Sequence, residues 1–536
     1  MERQTMSAAD RYVLAIDLGS GSLKVALVSP RAEVVAAAER ELRTRLVAGG
    51  GAEQDPNEWW NAVLQCAREV LSHAQLPAQQ VLALRCTTQW AVTVPVDEDG
   101  EALSPALSWM DTRGGPHSRA LVSGVVAFGG YDLLKLWRWI RLTGGAPTRS
   151  GVDGLGHALY LKYEQPAVYA RTHKLLEPMD YLNLKLTGRI AASFGTIFPY
   201  WLTDNRDPRK IAYDPRLLQL AKIERAKLPD LLPVDAVVGT LRPAVADVLR
   251  LSATTKVLAG LCDGPAATVG AGIVDDYEGY FYIGTTSWLS CHVPEKKTDL
   301  MHSILTMPAA LPGRYMVVAE QGTAGRCLEF LKDNLLYPPN EPGVDAPSNI
   351  YEILDAQAAK VAAGSDGLIF TPWINGVLAP SEDPATRSAF FNQSARTTRS
   401  HYIRAVMEGV AFNLRWLKGH VEKFVGRRFE RLNFIGGAAL SEVWCQILAD
   451  ILGCPVRRVA NPRYANAVGA ALTAFAALGE IRAEDIPSLV KISSVYQPNP
   501  ASREVYDRQF AEFVACFRRM KPIYRRLNPP SRAKGV

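Results

Sequence analysis

The sequence predicts an α/β protein of two similar domains that face each other across a cleft. Three observations carry that expectation. The chain has 536 residues, too many for one hydrophobic core. Apolar β-type runs alternate with segments of helical periodicity along most of it. One local device occurs twice, half a chain apart: an apolar run, a glycine with Ser or Thr beside it, then a second apolar run. The first copy is Val13–Leu27, with Gly19, Ser20, Gly21, Ser22 and Lys24 after Asp17; the second is Gly279–Ser290, with Gly284 and Thr285. Each reads as a β-hairpin whose tight turn offers backbone N–H groups and hydroxyls to an anion. Two such turns across a cleft would grip a polyphosphate from both sides.

Bulk properties exclude several classes. The chain is 48% apolar and 21% charged, with a net charge of +6, which does not call for a nucleic-acid partner. The basic residues Arg518, Arg519, Lys521, Arg525, Arg526, Arg532 and Lys534 read as a solvated tail. Eight scattered cysteines without a C-x-x-C pair fit free thiols in a reducing compartment. The eight histidines show no metal-ligand spacing. The first ten residues are polar and read as disordered, without a signal peptide. No stretch has the ~18 uncharged apolar residues of a membrane span. No membrane partner is expected, and cytoplasmic location is the default.

In chain order, strand-rich sequence to about residue 46 leads to the glycine loop 49–51. Asp55-Pro56-Asn57-Glu58 then opens a helix that buries Trp60, Val63, Leu64, Ala67, Val70 and Leu71. Strand 81–86 and the turn 87–89 follow, and the run 90–96 ends in the turn signal Asp97–Gly100. Residues 114–250 are rich in helical periodicity and aromatics (Trp137, Trp139, Tyr160, Tyr163, Trp201), which reads as an insertion or cap shaping a pocket. Strand 256–261 leads to Cys262-Asp263-Gly264-Pro265, and 272–276 is the expected domain boundary. The domains are therefore set at 11–271 and 272–490, with a helical, basic tail at 491–536. Residues 337–349, with five Pro and Gly, read as a loop. The helix around 399–424 buries Ile403, Val406, Met407, Val410, Ala411, Leu414 and Leu417.

Four places can carry chemistry. Asp17 ends a buried strand directly before the first glycine turn, where a carboxylate suits a water-bridged Mg²⁺ or simply stabilises the turn. Lys24 either adds a positive charge for phosphate or points outward from its strand. Asp263 sits between a strand end and a helix start. It reads as a helix N-cap or as a general base in the cleft that open α/β sheets form at strand C-termini. Strand 432–435, the pair Gly436-Gly437 and a helix capped by Ser441 make a nucleotide-shaped site.

Taken in this order, these elements resemble the FGGY carbohydrate kinases from about residue 12 to about residue 490. The matching signatures are Asp17–Lys24, Trp109-Met110-Asp111-Thr112-Arg113, Asp263, Gly284-Thr285, Met407–Phe412 and Gly436–Leu452. The literal run Phe128-Gly129-Gly130-Tyr131 is a coincidence of letters. The resemblance implies two actin-like, ribonuclease H-like domains flanking a nucleotide cleft, with ATP and Mg²⁺ as cofactors. It implies that Ser20, Gly21 and Ser22, with Gly19 and Lys24, meet the ATP phosphates from one side, and Gly284 and Thr285 from the other. Gly325 and Glu329 would lie near the ribose, and Gly436, Gly437 and Ser441 at the adenosine. Asp263 would be the catalytic base, with Gln89, Trp90, Asp111 and Arg113 at the acceptor. The expected partners are ATP and a small sugar or polyol, a xylulose-type pentulose first, with a homodimer as an open option.

The chain departs from the family pattern on the acceptor side. Trp90-Ala91 follows Gln89 where xylulose kinases usually carry Met-His and glycerol kinases Arg-Glu. Gly264 follows Asp263 in place of Asn or Gln, Asn392 stands where Gly is usual, and Asn466 where Glu often opens the late helix. The alternative reading is therefore a nucleotide-binding regulator that has lost sugar phosphorylation.

Overall fold

The protein is described from a computed structural model, which covers residues 11–338 and 345–529. The readings for residues 1–10, for Pro339, Pro342 and Gly343 of the loop, and for Arg532 and Lys534 lie outside them. In the first half, strands β1 (Tyr12–Leu18), β2 (Ser22–Val28), β3 (Val34–Glu41), β4 (Val81–Thr88), β5 (Val237–Thr240), β6 (Lys256–Leu258) and β7 (Leu261–Cys262) form a seven-stranded sheet. Its order is β5-β6-β4-β1-β2-β3, with β7 also beside β4. In the second half, β8 (Gly279–Ile283), β9 (Ser287–Val293), β10 (Thr298–Asp299), β11 (Ile304–Pro308), β12 (Tyr315–Val318), β13 (Glu320–Gln321), β14 (Leu432–Ile435), β15 (Val456–Val459) and β16 (Ile492–Tyr496) form a nine-stranded sheet. Its order is β10-β11-β12-β9-β8-β14-β15-β16, with β13 beside β9. The two repeats of the sequence device are thus the β1–β2 and β8–β9 hairpins, one at the heart of each sheet.

Both hairpins are antiparallel and both central strands also pair in parallel. β1 pairs with β2 so that Asp17 faces Lys24, and with β4 so that Asp17 faces Thr87. β8 pairs with β9 up to Ile283 and Ser287, and with β14 so that Tyr282 faces Ile435. β1 is buried along its whole length, as a central strand covered on both faces must be.

Helix α1 (Pro56–Ala74) starts as its sequence signals require. Asp55 accepts from Asn57 N–H at 2.9 Å, and Pro56 stands in the first turn. It buries Trp59, Val63, Cys66, Ala67 and Val70. Trp59 rather than Trp60 faces the core, and Trp60, Leu64 and Leu71 are half-buried. Helices α2 (Asp263–Gly270), α3 (Gly325–Leu331), α4 (Arg399–Val425), α5 (Glu442–Leu452) and α6 (Ala465–Ala477) complete the frame of the site. All seven apolar residues expected on the inner side of α4 are buried.

The segment read as a cap, 114–250, contributes Trp139, Tyr200 and Trp201 to the core of the first lobe, so most of it is integral to that lobe. The hairpin and helix around 125–137 stand out from it, with Phe128 and Trp137 exposed. The tail reading needs correction. β16 joins the second sheet, and α7 (Arg503–Leu527) buries Tyr506, Phe513, Phe517 and Tyr524 against that lobe. Aromatics at helical spacing anchor the helix, while Arg518, Arg519 and Arg526 stay in solvent. A third core of small residues joins the lobes: Val13, Ala15 and Ala83 with Ala266 and Ala267 of α2 and Ala467, Ala470 and Ala471 of α6. Among the described residues no helix is long and apolar enough to cross a membrane, and all eight cysteines are free.

Candidate active site

Three parallel strands end side by side at the cleft. β1 stops at Asp17-Leu18, β4 at Thr88 beside Gln89, and β7 at Cys262 beside Asp263; the register sets Asp17 and Leu261 opposite the same Thr87. Ligands of open α/β sheets bind beyond such ends. The topology therefore gathers Asp17, Gln89 and Asp263 from positions about 70 and 170 residues apart in the chain.

Asp263 is the first residue of α2, not its N-cap, which is Cys262. Its Oδ1 accepts from Gly264 N–H at 2.8 Å. A carboxylate at a helix N-terminus is favoured by the helix dipole, and that hydrogen bond also favours the anion. Burial wins against both, aided by the nearby charge of Asp17, and pushes the carboxyl up to about 7. A group half-ionised near neutral pH is matched to general-base work. Asp17 is also raised by burial, opposed by Lys24, and its Oδ1 lies 3.5 Å from Asn466 Nδ2 of α6. Thus the second lobe touches Asp17 through the residue that stands where Glu is usual.

The first turn is closed by Gly19 N–H to Ser22 O at 2.9 Å. Gly21 is exposed. Lys24 Nζ donates to Ser22 Oγ at 3.0 Å and lies 3.7 Å from Glu39. The Ser20 side chain turns toward Trp109 and Gln89. Trp109 Nε1 donates to Ser20 Oγ at 2.8 Å, and Ser20 donates to Gln89 Oε1 at 2.7 Å. Gln89 Nε2 donates to Gln54 Oε1 at 2.6 Å, and Gln54 Nε2 to Ser20 O at 2.8 Å. This closed circuit fixes the amide of Gln89.

Asp111 and Arg113 are spent on each other. Arg113 Nη2 lies 2.5 Å from Asp111 Oδ2 and 2.9 Å from Glu53, and Nη1 donates to Tyr160 at 3.1 Å. Asp111 also accepts from Ala52 N–H. The forked pairing makes them a brace, with their polar groups already engaged. Trp90 is half-buried and lies over Phe198, centroids 6.1 Å apart at 15°.

The second turn is assembled by glycines far apart in sequence. Gly284 N–H donates to Thr286 O at 3.0 Å, and Gly325 N–H at the start of α3 to Gly284 O at 2.8 Å. A Cβ at Gly325 would meet Gly284 O at 2.4 Å, and one at Gly436 (φ 101°) would meet Ile283 O at 2.4 Å. Only glycine permits both approaches. Thr285 at the tip is exposed. Gly437 faces open space. Ser441 caps α5 by accepting from Trp444 N–H at 3.0 Å and donates to Asp355 at 2.7 Å. Glu329 pairs with Arg326 at 3.3 Å on the surface of α3. Asn392 has φ 67°, so the position does need left-handed backbone, which Asn tolerates.

Sequence reasoning missed Gln54, Glu53 and Glu320. Glu320 is raised to about 7 by burial and the nearby charge of Asp263. It ends an apolar run before Gly322, the same strand-end pattern that marked Asp17 and Asp263, and could have been found that way. Gln54 carries no local signal, because its role depends on strands folding together.

The carboxylates fit a cation that arrives with phosphate oxygens. Asp17, Asp263 and Glu320 form a chain of electrostatic neighbours, and among the described residues no cluster of three or more His, Cys, Asp or Glu side chains forms a cage for a metal. Mg²⁺ characteristically takes one or two carboxylates plus substrate phosphates.

The chain is similar to known proteins along nearly its whole length. The profile of the FGGY family of carbohydrate kinases, N-terminal domain, matches residues 12–125 and 155–270, and that of the C-terminal domain matches residues 279–478. A xylulose kinase of Lactococcus lactis is 29% identical over 84% of this chain and 84% of its own. The crystal structure of a xylulose kinase from Rhodospirillum rubrum superposes with a TM-score of 0.81 at 27% identity, covering 96% of this chain and all of that one. A gluconate kinase from Lactobacillus acidophilus shares the fold, with a TM-score of 0.83 at 21% identity, covering 97% of this chain and 100% of that chain.

Proposed function

The chain belongs to the FGGY family of carbohydrate kinases, and from that premise we propose that it transfers the γ-phosphoryl group of ATP to a hydroxyl of a small uncharged sugar or polyol, a xylulose-type pentulose first. The observation that carries the reading is Asp263: a carboxyl raised to about 7 within electrostatic reach of Asp17, at the end of a strand that pairs with the one leading into Gln89–Trp90. Asp263 takes the acceptor proton as the hydroxyl oxygen attacks the γ-phosphorus. Gln89, its amide fixed by Ser20 and Gln54, orients the acceptor, and Trp90 offers an apolar face to its carbon skeleton. The two turns hold the phosphates, with Gly325, Glu329, Gly437 and Ser441 on the nucleoside side. Mg²⁺, held through Asp17, would neutralise charge on the β and γ oxygens.

The gluconate kinase shares the fold, yet a sugar acid would need a cation at the acceptor. Arg113 stands nearest in sequence to that role, and its guanidinium is engaged by Asp111, Glu53 and Tyr160. This favours a neutral acceptor. Free thiols, seven of them buried, support a reducing, cytoplasmic setting.

The test is ADP release by the purified protein against pentuloses, hexuloses, polyols and aldonates. Turnover on a neutral ketose or polyol, lost in Asp263→Asn, is expected. ATP binding without acceptor-dependent turnover on any of them would favour the regulator.

A further inference from the structure

The acceptor loop is held from beneath by a carboxylate that sequence reading did not pick out. Strand Lys174–Leu176 pairs antiparallel with Val94–Val96, Leu176 facing Val94. Glu177 therefore emerges beside the end of the loop 89–92. It is the residue that precedes helix Pro178–Thr187, the N-cap position where a short polar side chain such as Ser, Thr, Asp or Asn ordinarily caps the helix. Here it makes no such cap. Its Oε2 instead accepts from Val92 N–H at 3.1 Å. The side chain is 1% exposed, and Oε1 has no hydrogen-bond partner.

What this carboxyl supports is a conformation that its residue disfavours. Ala91 has φ 55°, the left-handed region, where an L side chain crowds the backbone. No glycine relieves it, so the surroundings must impose it. The left-handed residue reverses the chain and presents Trp90 over Phe198, which itself packs edge-on against Trp201 at 4.8 Å.

We propose that Glu177 is a positioning residue for acceptor selectivity: its carboxyl fixes Val92 and the left-handed Ala91 and thereby sets the face that Trp90 presents to the acceptor, without touching the acceptor itself. The inference rests on the assignment of the Gln89–Trp90 loop to the acceptor. Asp180, Cys262 and Tyr200 surround Glu177 within the same buried region. Burial, with Asp180 adding to it, raises the carboxyl well above its ordinary range, against the pull of the Val92 and Ala91 backbone. A group kept there at that cost is consistent with a positional duty.

The experiment compares Glu177→Leu, Glu177→Gln and the double variant Glu177→Leu/Ala91→Gly, using the acceptor that the unaltered protein turns over best. KM for acceptor, KM for ATP and kcat are measured separately, with melting temperature alongside. Glu177→Leu removes the hydrogen-bond acceptor and should raise acceptor KM about tenfold, about 1.4 kcal/mol, leaving ATP KM within about twofold. Glu177→Gln keeps an oxygen for Val92 N–H and should retain acceptor KM. Ala91→Gly removes the steric objection to φ 55° and should restore acceptor KM in the double variant.

Unchanged acceptor KM in Glu177→Leu overturns the proposal. So does an equal rise in both KM values that Ala91→Gly fails to relieve, since that is general destabilisation. If Glu177→Leu does not fold, Ala91→Val opposes the same backbone from the loop side. It should raise acceptor KM alone, and no rise overturns the proposal. Absence of acceptor-dependent turnover in the unaltered protein overturns the acceptor assignment and this inference together. Turnover with a Glu177→Leu variant like the parent overturns this inference alone.

Discussion

Asp263 carries a conflict between stability and chemistry that can be measured from both sides. Its pKa is pushed from 3.8 in the ordinary case to about 7, so the folded state holds the proton more tightly than the unfolded chain. Stability contributed by this group therefore falls as pH rises from about 4 to about 7, while the base form that the proposed reaction needs accumulates over the upper part of that range. Turnover with saturating ATP should rise with pH through about 7 and then level. Asp263→Asn should lower kcat by about 10² to 10⁴ with ATP affinity kept. The same variant should melt higher than the parent at pH 8, with the difference closing near pH 4. Retained turnover, or a lower melting point at pH 8, would return Asp263 to a structural role. The glycine turns separate two residues that sequence treats as equivalents. Thr285→Ala should weaken nucleotide binding by about 1–3 kcal/mol if it loses a hydrogen bond to a charged group. Ser20→Ala should instead act on acceptor KM, because its hydroxyl joins Trp109 to Gln89. Calorimetry with ATP alone, beside acceptor kinetics, distinguishes the two. The position of Ser20 was legible from its turn, but the direction of its hydroxyl was not, since Trp109 and Gln89 reach it from distant segments of the chain.

At the level of elements, the sequence reveals most where one segment both makes and uses a feature. The β1–β2 and β8–β9 hairpins, α1 with its Asp55 cap and the apolar face of α4 all follow from local pattern. The exceptions have a common physical origin. Trp59 and Trp60 are neighbours on α1, and which of them is buried depends on what packs there, not on their own periodicity. Arginines at the chain end suggest a solvated tail, yet Tyr506, Phe513, Phe517 and Tyr524 bury one side of α7. Tyr506 also bonds Glu408 at 2.8 Å within the Arg404–Glu408 pair of α4. Gly325, expected near a ribose, has a further task in holding α3 against the second turn. Gly325→Ala would drive a Cβ to 2.4 Å from Gly284 O, closer than any real contact, and must displace α3 or the turn. ATP KM should rise about tenfold or more, since a loss of about 1.4 kcal/mol suffices. Acceptor affinity measured without nucleotide should be unchanged. Equal loss of both would mean that α3 supports the whole cleft instead of the nucleotide side.

The two lobes are joined where α2 packs on α6, and Asp263 stands at the head of α2. Asp263 opens α2, and α6 belongs to the chain that follows the second lobe's strand β15. The two helices cross at glycines: a Cβ on Gly270 would lie 1.8 Å from Ala465 O, and one on Gly469 would lie 1.8 Å from Ala266 O. Ion pairs span the lobes nearby, Lys491 with Glu33 at 2.8 Å and Arg463 with Glu39 at 3.0 Å. The small-residue run Ala266–Ala271 was visible in the sequence as a helix, but its closeness to another helix nearly 200 positions later was not. Exposed ion pairs contribute little, about 0–1 kcal/mol each, so the glycine crossing governs the relative setting of the lobes. A methyl group there cannot be absorbed by a side chain, because the atoms it meets are backbone. Gly469→Ala should therefore shift α2 against α6 by about an ångström, and a misplacement of that size can cost about 10² in rate. The loss should fall on kcat more than on the KM of ATP or acceptor, because the contacting groups of each turn and loop are unaltered. X-ray scattering should show the variant failing to contract fully when both ligands are present. Full contraction with normal kcat would place the pivot elsewhere in the molecule and leave α2 as a fixed support for Asp263.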